Sequence, residues 1–320
     1  MFKKYQFIFP LMSFVSLASC SKENAEENPV SPVTGVYVSA QYAPGELNTQ
    51  QNVRYSQRPN VNGGQFTSTN NRNKEAGDPV LNLHLDIAVP PNATDEAPQP
   101  LVVMIHGGGF TMGSKEDITP SAISYARAGY VAANIDYRLT DINASDPLAF
   151  IQAVIHATDD AMNAVRFLKS KASVYHIDTT RIAIVGYSAG GGIALINAMA
   201  YDGLAGTSSD YPGISSKVQA ALSTGATLVQ PGIPSPASFF SFDATDSPVM
   251  LFHANPVDNV IGTTWNNHVL PTQKLITDAG NECVVVAQPD RTHTVDLSVG
   301  AGYWSKQRDF LWKHLRLNEK

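Results

Sequence analysis

From residue 101 onward the chain repeats one pattern: a short, largely apolar run, then a stretch of helical periodicity. The apolar runs are 101–105, 131–135, 182–185, 220–224, 249–253 and 284–287. Helical stretches lie near 119–128, 149–171, 189–201, 265–279 and 303–316. A strand that is apolar at every position is covered on both faces. The pattern therefore predicts a mostly parallel sheet between two layers of helices, a three-layer α/β sandwich. Upstream the pattern changes. Residues 81–89 alternate apolar and polar, as a strand with one solvated face does. Residues 36–38 and 53–55 are shorter strand candidates, and together these segments predict an antiparallel N-terminal edge. Residues 57–79 are rich in Asn, Gly and Thr without periodicity, and predict an irregular loop. No internal repeat is present.

Composition narrows this picture. The chain has 320 residues, 43% of them hydrophobic and 16% charged. That suits one large domain over 35–320. A formal charge of -6 argues against a nucleic-acid partner. The two cysteines, Cys20 and Cys283, do not make a disulfide framework. Lys3 and Lys4 precede an apolar stretch over 7–18 and then Leu17-Ala18-Ser19-Cys20, the layout of a secretory signal over 1–20. The stretch is shorter than the roughly 20 residues a membrane-spanning helix needs. L-A-S-C resembles a bacterial lipobox, which implies lipidation at Cys20 and membrane attachment only through acyl chains. Residues 21–34, with Pro29 and Pro32, read as a flexible tether. Their acidic start resembles the stretch found on surface-exposed lipoproteins of some Gram-negative bacteria. The implied location is an exported outer-membrane lipoprotein, with a surface-exposed one as the further expectation. A cleaved leader on a soluble protein, with Cys20 incidental, is the alternative.

The chemistry concentrates in two glycine-rich stretches. Residues 182–192 read I-A-I-V-G-Y-S-A-G-G-G, so Ser188 stands in G-x-S-x-G directly after an apolar run. A serine on a very tight strand-to-helix turn has a strained backbone, and its neighbours two positions away come too close for side chains. The turn lifts the hydroxyl clear of the sheet, at a helix start that favours negative charge. A plain Gly-rich turn is the competing reading. The second stretch, His106-Gly107-Gly108-Gly109-Phe110, follows the run at 101–105. Glycines let backbone N–H groups approach an oxygen closely. Acyl transfer needs such donors, since losing one costs about 10²–10³ in rate. A phosphate loop would need G-x-x-x-x-G-K-[ST], for which Lys115 is misplaced.

H-G-G-G-F after one strand, D-Y-R-L at 136–139, and G-Y-S-A-G-G-G after a later strand resemble an α/β-hydrolase. The likeness runs over about 80–317 and points to the esterase/lipase group, which includes hormone-sensitive-lipase-like carboxylesterases and secreted acetyl or feruloyl esterases. It implies the α/β-hydrolase fold, with Ser188 as nucleophile and the N–H groups of Gly108, Gly109 and Ala189 as an oxyanion hole. Four histidines follow Ser188: His253, His268, His293 and His314. The family places its catalytic histidine just after the last strand, where His293 stands, while His253 ends a strand and is expected to shape a loop. The family acid follows the 249–253 strand in a pattern near H-G-x-x-D-x-x-V. Here the stretch is H-A-N-P-V-D-N-V-I, so Asp258 falls one position late and Ala254 replaces the glycine. Asp243 and Asp246 lie before that strand, on the wrong side.

The resemblance implies an acyl-enzyme mechanism with no cofactor and no metal. His106 resembles a metal ligand only in isolation. Asp178 with Arg181, and Asp159 with Arg166, are expected to pair within the scaffold. Phe110, Tyr187, Phe239 and Phe240 are candidate substrate contacts. The insert 225–248 is short and proline-rich, with Phe239, Phe240 and Phe242 clustered in it. It predicts an open cleft with an aromatic wall, suited to short acyl groups or to acetyl or feruloyl esters on a polysaccharide. A prolyl-oligopeptidase-like peptidase and a non-catalytic glycan- or partner-binding lipoprotein are the rival readings.

Overall fold

The apolar runs form six strands of an eight-stranded sheet, five inside it and the last, 284–287, at its far edge. The computed structural model describes residues 31–60, 66–67, 79–140, 147–202, 209–233 and 241–319. The strands are β1 (Asn48–Pro59), β2 (Phe66–Thr67), β3 (Val80–Val89), β4 (Gln99–Ile105), β5 (Val131–Ile135), β6 (Leu139–Thr140), β7 (Ile177–Tyr187), β8 (Ala220–Thr224), β9 (Val249–Ala254) and β10 (Cys283–Gln288). The main sheet runs β1-β3-β5-β4-β7-β8-β9-β10, parallel from β5 onward, with antiparallel β1–β3 and β3–β5 pairs at its edge.

Successive residues of each central strand face opposite helix layers. Leu101, Val103 and Ile105 of β4 face α2 (Pro147–Ser170) and α4 (Ala189–Ala200), on the side where α5 (Leu270–Asp278) also packs. Val102 and Met104 face α1 (Thr119–Arg127) and α6 (Trp304–His314). Each fully buried aliphatic side chain adds about 1.5–3 kcal/mol relative to exposure. A short helix, α3 (Ala172–Tyr175), leads into β7. These observations are those of the α/β-hydrolase fold.

Four local expectations change. Residues 36–38 form a turn, not a strand. Tyr37 has φ 67° and its N–H donates to Ala128 O, while the Trp304 indole donates to Val38 O. Tertiary hydrogen bonds thus replace a ladder. Second, β1 is far longer than 53–55. Its polar start, Asn48–Gln50, pairs through backbone groups that carry no hydrophobic signature. Third, within 57–79 the segment is not wholly irregular. Residues 57–59 belong to β1, and β2 pairs antiparallel with β6 through Phe66↔Thr140 and Thr67↔Leu139. Fourth, β3 alternates only at its start. From Leu85 to Val89 it is buried on both faces, because β1 and not β3 is the outer strand. Cys20, most of the tether, the rest of the 57–79 stretch, and Phe239 and Phe240 lie outside the described residues. Among the described residues no helix is long and apolar enough to cross a membrane.

Charges are buried in one cluster that ties the sheet edge to α2. Arg58 of β1 pairs with Asp210 at 2.7 Å and Asp159 at 3.3 Å. Arg138, beyond β5, holds Asp160 through Nε and its own backbone N–H, and Asp159 at 3.4 Å. Asp159 is therefore not the partner of Arg166, which pairs with Asp202 at 2.6 Å, whereas Arg181 and Asp178 do pair, at 3.2 Å. A buried carboxylate that loses a cation is strongly destabilising, by about 3–5 kcal/mol. Arg138→Met should lower the unfolding free energy by about 3 kcal/mol in urea denaturation, because Asp160, with no exposed side-chain surface, then keeps the backbone N–H at 138 and, as its only cation among the described residues, Arg58 at 3.5 Å. Arg138→Met combined with Asp160→Leu should recover part of that loss.

Candidate active site

Ser188 stands on the turn between β7 and α4, with φ 53° and ψ -118°. For a residue with a Cβ this conformation costs on the order of 1–3 kcal/mol and persists only where the surroundings enforce it. The enforcement is steric. A Cβ on Gly186 would lie 2.0 Å from Gly190 O, and one on Gly190 would lie 2.3 Å from Ile105 O. Strand, turn and helix start are therefore in backbone contact, and G-x-S-x-G is needed on packing grounds alone.

The other two side chains arrive from the loops after β9 and β10. His293 Nε2 is 2.7 Å from Ser188 Oγ, and its Nδ1 is 2.7 Å from Asp258 Oδ2. An ionised carboxylate only accepts, so Nδ1–H donates to it and Nε2 accepts the Ser188 O–H. Asp258 is fully buried, and its Oδ1 accepts the N–H of Val260 at 2.8 Å. The one-residue offset at Asp258 leaves the geometry intact. The loop is pinned by Asp258 N–H to Thr263 O at 2.9 Å, and the His293 loop reaches it through Arg291 N–H to Val257 O at 2.9 Å.

The remaining histidines are occupied elsewhere. His253 lies buried behind Asp258, 4.0 Å from its Oδ2, with Nε2 on the Thr263 hydroxyl at 2.8 Å. Burial lowers its pKa, against the opposing pull of the Ala254 carbonyl and the Asp258 charge. It is a neutral support for the acid loop, as expected. His268 accepts the Thr264 N–H inside a π-helix (Trp265–Val269), and His314 faces Glu282. Asp243 N–H binds Asp246 in a surface turn. Among the described residues no three His, Cys, Asp or Glu side chains converge as metal ligands.

The H-G-G-G-F loop packs directly on the serine turn: a Cβ on Gly107 would lie 3.1 Å from Ser188 Cβ. Gly108 has φ 108°, and a side chain there would meet Met112 O at 2.0 Å. Its carbonyl accepts the N–H groups of Thr111 and Met112. Behind the loop, His106 stacks on Tyr137 at 4.3 Å, and the Tyr137 hydroxyl donates to the His106 and Gly107 carbonyls. Burial raises the Tyr137 pKa, so the phenol stays a donor. Among the described residues no acceptor pairs with the N–H of Gly108, Gly109 or Ala189.

A cavity of about 980 Å³, counting its open mouth, begins at Ser188, Gly109 and Ala189. Phe110, Phe150, Val154, Ile155, Ile196 and Leu228 make most of its wall. Phe110 lines it as expected, edge-on to Phe150 at 5.6 Å. Tyr187 does not. Its hydroxyl accepts the Leu297 N–H and lies against Ser121, on the α1 side of the sheet. Phe242 packs against the α2-side core. Much of the described aromatic and aliphatic wall comes from α2, through Phe150, Ile151, Val154 and Ile155, beside Leu228 and Ile233 of the 225–248 insert. Sequence reasoning passed over it. The signal was available: these four make an apolar stripe beside the core-facing Ala153, Ala157 and Ala161.

Thr224 was also passed over. It ends β8, is fully buried, and holds two loops at once. Its carbonyl accepts the Ser188 N–H at 2.8 Å, and its Oγ1 accepts the Val295 N–H at 3.0 Å and Gln288 Nε2 at 2.8 Å. Nothing in a lone threonine signals this. Thr224→Val should cost about 1–3 kcal/mol by leaving those donors unpaired, and should speed hydrogen exchange at the Val295 amide. Thr224→Ser should stay close to the parent in both measurements.

The BD-FAE family model matches residues 85–227, which takes in the glycine loop and Ser188 but stops before Asp258 and His293. Among solved structures, esterase 2 of Thermogutta terrifontis phosphorylated by paraoxon aligns at 21% identity over 86% of this chain and 93% of that one, with a TM-score of 0.58. The butyrate-bound form aligns at 22% identity over 81% and 93%, with a TM-score of 0.56. These are likenesses of fold. Curated relatives match over shorter reaches. Non-reducing polyketide synthase pkbA of Emericella nidulans is 31% identical over 36% of this chain and 5% of its own length. Esterase LipI of Mycobacterium tuberculosis is 32% identical over 33% and 31%. Endo-1,4-beta-xylanase B of Butyrivibrio fibrisolvens is 29% identical over 51% and 24%. The chain thus spans less than a third of each of these relatives. With its sheet order, its glycine loop and its serine turn, the chain has the α/β-hydrolase fold, and over residues 85–227 it is similar to the BD-FAE family.

Proposed function

We propose that this chain hydrolyses carboxylic esters through an acyl-enzyme on Ser188. The supporting observation is the continuous relay from Asp258 through His293 to Ser188 at 2.7 Å and 2.7 Å, opening onto an apolar cavity. Ser188 Oγ attacks the ester carbonyl as His293 Nε2 takes its proton. Asp258 holds the imidazole tautomer and offsets the charge that forms on it. The carbonyl oxygen becomes an oxyanion facing the N–H groups of Gly108, Gly109 and Ala189. His293 then gives its proton to the leaving alcohol oxygen, and the C–O bond breaks. Water, deprotonated by the same histidine, releases the acid and restores Ser188.

The leaving oxygen must face His293, which does not border the cavity, so the cavity takes the acyl group. Among the described residues its wall carries no charged side chain, which suits a neutral acyl group. The alcohol side faces the His293 loop. Partial likeness to a xylanase supports esters carried on a polysaccharide as one alcohol class. Lipidation at Cys20 and export remain part of this proposal, and rest on the N-terminal sequence: Lys3 and Lys4, the apolar stretch over 7–18, and L-A-S-C.

Ser188→Ala should abolish both p-nitrophenyl butyrate hydrolysis and labelling by a fluorophosphonate probe, with folding unchanged by circular dichroism. Asp258→Asn should lower kcat by about 10⁴ through the wrong imidazole tautomer. Across p-nitrophenyl esters the rate should peak at short acyl groups. A peak at long chains, with no acetate or ferulate released from xylan, would overturn that substrate class. A wild-type protein that neither turns over esters nor takes the probe would overturn the enzyme itself. Loss of radiolabelled palmitate incorporation in Cys20→Ala checks the anchor.

A further inference from the structure

Three glycines follow Ala189, and packing explains two of them. A Cβ on Gly190 would sit 2.3 Å from Ile105 O and 2.5 Å from His106 O. One on Gly191 would sit 2.7 Å from Ser223 Oγ and 3.0 Å from Thr224 O. Both must be glycine for α4 to lie against β4 and β8. Gly192 is different. A Cβ there meets nothing within 4 Å, and its φ does not call for glycine. Its N–H closes the first turn of α4 on Ser188 O at 3.0 Å, so its backbone is ordinary helix. Glycine is the poorest helix former apart from proline. The fold therefore gains nothing from it.

What Gly192 does border is the cavity, between Ser188 and Ile196 on the same face of α4. Phe150, Ile151, Val154 and Ile155 line the same space from α2. We propose that Gly192 is a specificity-determining position: its missing side chain is the space that the acyl chain occupies beyond its first carbons. This rests on the ester-hydrolase reading, since it assigns the cavity to the acyl group. Any side chain at 192 would project into the space beside the serine and shorten the longest acyl chain that fits. The neutral apolar walls select an alkyl or aryl acyl group, and residue 192 sets its reach.

The test is a graded series, Gly192→Ala, Gly192→Val and Gly192→Leu, with two readouts. The first is kcat/KM for p-nitrophenyl acetate, butyrate and octanoate. The octanoate-to-acetate ratio should fall stepwise with side-chain size, by about tenfold or more at Leu, the scale of discrimination expected for a few methylene-sized clashes. The second is calorimetric binding of N-methyloctanamide in the Ser188→Ala background, where no turnover is involved. Gly192→Leu should weaken that binding by a similar factor. Folding is followed by Tm. Gly192→Ala should melt at or above the parent, and Gly191→Ala below it. Should the ester reading fail, no variant will turn over esters, yet the amide arm still decides the position. An unchanged ratio, or amide binding unaffected by Gly192→Leu in a folded protein, would overturn the proposal.

Discussion

Backbone contact at the end of β7 governs the top of this sheet. Gly186, Gly190 and Ile105 approach so closely that no side chain fits between them, and the only route left for the chain is the turn that puts Ser188 at φ 53°. The strained residue is thus a consequence of how tightly α4 is drawn onto β4 and β7, not a separate device. Close packing of this kind also explains why the glycine loop at 107–109 lies against the serine turn. Once α4 is seated, the end of β4 has nowhere else to run.

The two loops that bring Asp258 and His293 need a different kind of constraint, because neither has regular structure. Hydrogen bonds supply it. Thr224 binds the serine backbone with its carbonyl and the segment after His293 with its hydroxyl. Gly225 beside it leaves room for the His293 carbonyl, which a Cβ would approach to 2.4 Å. The Asp258 loop closes on itself and on Arg291. The relay is therefore set from β8 as well as from the strands that carry its members.

Much of this was legible in the residues. Short, largely apolar runs between turn signals marked the central strands to within a few positions. Ser188, His293 and Asp258 were named from motif and order, and the structure brings them together. The misses have physical causes. Polar β1 residues pair through the backbone and leave no pattern, and three apolar residues at 36–38 fold as a turn in which the Tyr37 N–H binds the distant Ala128 carbonyl and the Val38 N–H closes on Gly35 O. Of the 225–248 insert, Leu228, Gln230 and Ile233 line the cavity and Phe239 and Phe240 lie outside the described residues, while the unforeseen part of the wall comes from α2. Tyr187, next to the serine, faces the opposite layer because neighbouring residues at a strand end point to opposite sides.

That helix, α2, does not stand free. Through Asp159 and Asp160 it is joined to Arg138, and through Arg58 to the outermost strand, by groups almost wholly withdrawn from solvent. Counter-ions in the medium shield exposed charges over about 10 Å at 0.1 M salt, but they reach such interior pairs poorly. The α2 side of the cavity is accordingly anchored by charge pairs that salt weakens far less than it weakens pairs on the surface.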